Sequence, residues 1–82
     1  MSAKIKILIK KLENVARITE RKTFDQSEER TLNHAVWFKG LTKYQEFGVR
    51  EQILDFETST GIKVNSWIDQ NKENDYDLLI KY

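Results

Sequence analysis

The sequence predicts a mainly α fold, a small single-domain bundle of about four short helices, and three observations lead there. No proline interrupts the 82 residues. Lys, Glu, Gln, Arg and Leu, which lose little on entering a helix, are plentiful. Apolar residues also recur at three- and four-residue spacing along much of the chain. The alternative is an α+β arrangement with an N-terminal hairpin and a C-terminal edge strand.

Residues 4–22 read first as a helix. Ile5, Leu8, Ile9, Leu12, Val15, Ala16 and Thr19 line one stripe, and Lys6, Lys10, Arg17 and Arg21 the opposite face. As strands, Ile5, Ile7 and Ile9 would alternate with lysines while Val15 to Phe24 returned alongside. The second helix is expected from Ser27, an N-cap residue, through Glu28 and Glu29 at the positive end of the dipole, to Gly40 as its stop. The third begins near Thr42 and is expected to bend or break at Gly48. Val49, Ile53 and Phe56 share one of its sides.

Thr58-Ser59-Thr60-Gly61 breaks the chain again, and Val64, Trp67, Ile68 and Asn71 follow at helical spacing, giving a fourth helix over 62–72. Residues 71–75 form a polar turn. The tail suits either period: Leu78, Leu79 and Tyr82 for a helix, or Tyr76, Leu78, Ile80 and Tyr82 for an edge strand. The expected core is Leu8, Leu12, Val15, Leu32, Val36, Ile53, Phe56, Val64, Trp67 and Ile68.

Length and composition set the function classes. One domain of this size buries only roughly 60% of its unfolded surface, so self-association is an expectation in its own right. There is no cysteine, hence no disulfide, thiolate nucleophile or thiolate-bound metal. No stretch approaches the roughly 18 apolar residues of a membrane span, and Ile7-Leu8-Ile9 runs straight into Lys10-Lys11, unlike a signal peptide. A cytoplasmic protein without membrane insertion is the expectation.

Charge is unevenly placed. Residues 1–22 hold seven Lys/Arg against two acids, a balance of +5, and residues 23–82 hold seven against eleven, a balance of −4. The basic segment thus offers one face to an acidic partner, unless the two ends simply pair.

Catalytic chemistry finds no constellation. His34 is the sole histidine, and no Ser or Thr sits in a motif with a positioned base. No HxxxH pair or EF-hand spacing is present, and three scattered glycines make no phosphate cradle. Neither enzyme, metal site nor cofactor is expected. Binding remains. Trp37, Phe38, Tyr44 and Phe47 exceed what so small a core should hide, and aromatic anchors dominate protein interfaces. Lys10, Lys11, Arg17 and Arg21 would steer association.

A stoichiometric adaptor, inhibitor or regulatory subunit on a larger protein is therefore the expected function. Two alternatives stand beside it. One is a nucleic-acid-binding module whose hairpin at 49–71 resembles a helix-turn-helix, presenting Lys63, Asn65, Ser66 and Gln70 to base edges. Glu57, Asp69, Glu73 and Asp75 sit poorly with that motif. The other is a self-assembling structural protein.

Overall fold

The computed structural model describes residues 3–23 and 34–82. It shows an α+β protein rather than the expected helical bundle, with two helices and one four-stranded antiparallel sheet among the described residues. Chain order is α1 (Ala3–Leu12), β1 (Glu20–Thr23), β2 (His34–Leu41), α2 (Lys43–Thr60), β3 (Asn65–Lys72) and β4 (Asp75–Lys81). The sheet order is β1-β2-β4-β3. β2 and β3 each run antiparallel to β4, so they point the same way with β4 between them. α2 thus makes the crossover of a split βαβ unit.

The α+β alternative gives the right class but misplaces its strands. α1 is the N-terminal helix of the first reading, with Ile5, Leu8, Ile9 and Leu12 buried on its predicted stripe. It ends at Leu12 instead of running to residue 22. Val15 and Ala16 still reach the core from the following turn, and residues 20–23 become an edge strand. The tail is a strand, as the period-two reading allowed, but it is an inner strand, not an edge.

Two expected helices are strands. Residues 34–41 form β2, where Val36, Trp37 and Phe38 suit a pleated, half-buried surface; the remainder of the helix expected from Ser27, and the core position Leu32, lie outside the described residues. Residues 65–72 form β3. Val64 and Ile68 are four apart, an even number that satisfies both periods. Trp67 distinguishes them: a helix would put it beside Ile68, whereas a strand sends it to the opposite face. With the helix at 62–72 gone, the helix-turn-helix resemblance has no recognition helix.

α2 is continuous through Gly48, where a break was expected. A Cβ there would lie 3.1 Å from Val15 Cγ1, so Gly48 lets the helix pass closely over the turn after α1. Thr42 caps the helix with a full capping box. Its hydroxyl accepts the Gln45 N–H at 3.1 Å, and the Gln45 side chain accepts the Thr42 N–H at 3.0 Å. Gly61 ends α2 at φ 74°, the left-handed conformation glycine adopts most readily.

The β3–β4 turn returns the chain to the start of α2. Asn74, at φ 61°, accepts the Lys43 N–H through its Oδ1 at 2.7 Å, tying the β3–β4 hairpin to the start of α2. Glu57 Oε2 likewise accepts the Val64 N–H at 2.7 Å where the chain enters β3.

Both helices lie on one face of the sheet. Between them and the strands, Leu8, Leu12, Val36, Phe38, Val49, Leu78 and Ile80 are almost wholly removed from water. Of the predicted core, Leu8, Leu12, Val36, Ile53 and Val64 are buried, while Val15, Phe56 and Ile68 pack against it partly exposed. Trp67 is outside it. Replacing Thr42 by Ala should lower the unfolding free energy by about 1 kcal/mol through loss of the cap, measured by urea denaturation; an unchanged midpoint would contradict the capping assignment.

Candidate binding surfaces

Strand alternation sorts the sheet's side chains into two sets. Val36, Phe38, Ile68, Tyr76, Leu78 and Ile80 point into the core. The set between them points to the other face, which no helix among the described residues covers. There Glu20, Trp37, Leu79 and Trp67 are direct partners in register across all four strands. Trp67 is 50% exposed.

Charges frame that row. On one side, Lys22, Ala35, Lys81 and Asn65 are in register. On the other, Asp77 faces Asp69. The Lys81 ammonium lies 5.6 Å from the centre of the Trp67 ring, and Lys39 lies 6.0 Å from that of Trp37. Lys39 also pairs with Glu20 at 3.2 Å, and Asp77 accepts the Gly40 N–H at 3.0 Å.

A second surface runs along α2. Val49, Ile53 and Phe56 face the core, as their spacing predicts. Tyr44, Phe47 and Leu54, spaced three and seven residues apart, fall on one stripe of the opposite side. They are 88%, 52% and 56% exposed. The helix is therefore apolar on two sides and covered on one. Arg50 lies beside the stripe, its guanidinium 5.6 Å from the Phe47 ring. Its Nε and Nη2 donate to the two carboxylate oxygens of the buried Glu46, at 2.8 and 3.3 Å. That hydrogen bond, and then the carboxylate charge, raises the Arg50 pKa above its ordinary value.

A third surface is a groove of about 390 Å3 between α1 and the β1–β2 pair. Lys6, Lys10, Arg21, Lys22 and His34 line it, with Glu13 as its acid. His34 stacks on Tyr82 with ring centres 5.2 Å apart, and its Nδ1 is 3.2 Å from the Thr23 hydroxyl.

The structure separates the residues that the sequence grouped. Phe38 is 0% exposed and cannot anchor a partner. Trp37 lies on the open sheet face, Tyr44 and Phe47 on the helical side. Lys10 and Arg21 meet in the basic groove, Arg21 pairing with Glu13 at 3.8 Å, while Lys11 lines a separate cleft between α1 and α2 and Arg17 is exposed in the connection to β1. Lys63, Asn65, Ser66 and Gln70 share no helical face: Lys63 precedes β3, Asn65 points to the open face, and Ser66 and Gln70 point the other way by alternation.

Leu54, Leu79 and Trp67 were missed as surface residues. The first was legible, since it continues the Tyr44–Phe47 stripe; the others depend on strand pairing. Among the described residues, no group of His, Asp or Glu gathers as metal ligands would, and no helix is long and apolar enough to cross a membrane. No family model matches the chain, and no curated protein matches it in sequence.

The two faces differ in what they contribute to stability. Phe38→Ala should cost about 3–5 kcal/mol, as for a large core truncation. Trp67→Ala should cost no more than about 1 kcal/mol, the scale of a cross-strand pair. Urea unfolding of both variants checks this, and a larger loss for Trp67→Ala would contradict its placement on an open face.

Proposed function

We propose that this chain is a non-enzymatic protein-binding module, an adaptor, inhibitor or regulatory subunit, that lays the outer stripe of α2 in an apolar groove of a larger protein. The observation that carries this reading is the exposure of Tyr44, Phe47 and Leu54 along one side of a capped helix already held by its other side. Apolar anchors at such spacing are the means by which helices dock in grooves. The helix is ordered before binding, so little conformational entropy is lost on docking.

Glu51 and Asp55 lie on the exposed part of the same helix, and suit a groove rimmed by Lys or Arg. The lysines of α1, including Lys10 and Lys11, would act in steering rather than in the contact itself. Trp37 has no part in this interface, because it sits across the sheet. The cytoplasm is the compartment we assign, supported by the Cys-free composition.

The tagged chain, run against host lysate with and without nuclease, should retain one protein in both samples. With that partner purified, Tyr44→Ala and Phe47→Ala should each weaken binding by about 2 kcal/mol, roughly thirtyfold. Equal binding by both folded variants would refute the α2 interface. Recovery that vanishes with nuclease would point to nucleic acid on the basic groove, with an affinity falling steeply with salt.

A further inference from the structure

The open sheet face differs from α2 in one respect that identifies its occupant: it is complementary to itself. Apolar residues occupy the middle row, with Trp37, Leu79 and Trp67 adjacent across three strands. Lys81 stands on one side of that row and Asp77 and Asp69 on the other, all pointing outward. From the geometry we infer that this face binds a second copy of the chain, through a two-fold axis lying along the Glu20–Trp37–Leu79–Trp67 row.

That axis reverses strand direction between the two copies. Trp37, Leu79 and Trp67 each meet their own counterparts, Lys81 of each copy lies over Asp77 of the other, and Asn65 lies over Asp69. Such an interface is isologous, so every favourable pair occurs twice. Glu20 also meets its counterpart, but each is already neutralised by Lys39 at 3.2 Å. Two sheets packed face to face keep their strands within about 30° of alignment, which these short strands tolerate.

Area is consistent with a reversible dimer. β1 holds four residues, β2 and β3 eight each and β4 seven, so at roughly 4.8 Å spacing and roughly 3.3 Å rise the face is about 430 Å2. Two such faces together bury about 850 Å2, in the range of weak, transient interfaces.

Nucleic acid suits the face less well. Glu20, Asp69 and Asp77 would confront its phosphates, and Lys39 is already paired with Glu20. The dimer would carry its helices on the two outer sides, leaving both α2 stripes free. A partner with two grooves would then be held bivalently. The inference does not rest on the α2 reading, because the two surfaces lie on opposite sides of the molecule.

Sedimentation velocity on the full chain over a concentration series tests it. The wild-type mass should rise to twice the monomer value, and Trp67→Glu should remain monomeric throughout while keeping its circular dichroism. Lys81→Glu and Asp77→Lys alone should each weaken the dimer about tenfold or more. Mixed in equal amounts they should recover it, since the acid introduced in one copy then meets the base introduced in the other.

A wild-type chain that stays monomeric at every concentration overturns the proposal and leaves the α2 interface untouched. A dimer that survives Trp67→Glu overturns the assigned surface, and this decides the matter even if Asp77→Lys fails to fold for want of its bond to Gly40. Monomer whose tryptophan fluorescence is quenched by a single-stranded oligonucleotide gives the face to nucleic acid instead.

Discussion

A strand sends alternate side chains to opposite faces, and the two helices among the described residues cover only one of them. α1 and α2 cover the inward set, Val36, Phe38, Leu78 and Ile80 among them. The outward set of the same strands is left to meet water or a partner. Everything distinctive about the molecule follows from that inequality. The dry face supplies the stability, and the wet face holds tryptophans where a monomer gains little from them.

The same one-sidedness explains the turns. With a single helical layer, α2 must be aimed correctly by contacts at its ends. The Thr42–Gln45 capping box closes its first turn, the Asn74 side chain on the Lys43 N–H ties that end to the β3–β4 turn, and Glu57 on the Val64 N–H ties its last turns to the entry of β3. Gly48 removes the one side chain that would hold it away from Val15. α2 is then rigid on its inner side and apolar on its outer side, the condition for a preformed docking helix. Two apolar surfaces thus lie on opposite sides of one small domain.

Legibility in the sequence followed local signals. α1 was readable because Ile5, Leu8, Ile9 and Leu12 fit one stripe, though Val15, Ala16 and Thr19 continued that spacing past its true end, and the start of α2 because Thr42 and the Val49–Ile53–Phe56 spacing agree. β2 and β3 were not. Val36 to Phe38 is a continuous apolar run, and such runs do not separate buried strand from buried helix by period alone. Val64 and Ile68 fit both periods, and β4 could satisfy either reading until its two neighbours were known. Strand pairing is non-local, so the Trp37–Leu79–Trp67 row could not be read from residues far apart in the chain. Tyr44 and Phe47, in contrast, were identifiable as excess aromatics, because a local helix already defined which side they occupied. Phe38 was misjudged for the converse reason, since adjacency to Trp37 separates the two by about 100° in a helix but puts them on opposite faces of a sheet.

β4 lies between β2 and β3, with Leu79 between two tryptophans on a face that neither α1 nor α2 covers. A nuclear Overhauser spectrum of the dilute chain tests it most directly. Cross-peaks are expected from the Leu79 methyls to both the Trp37 and Trp67 rings, with none from Trp67 to Leu8 or Leu12. Cross-peaks from the Trp67 ring to Leu8 and Leu12 would put that ring in the core, as a helical bundle requires, and would rule out this sheet order.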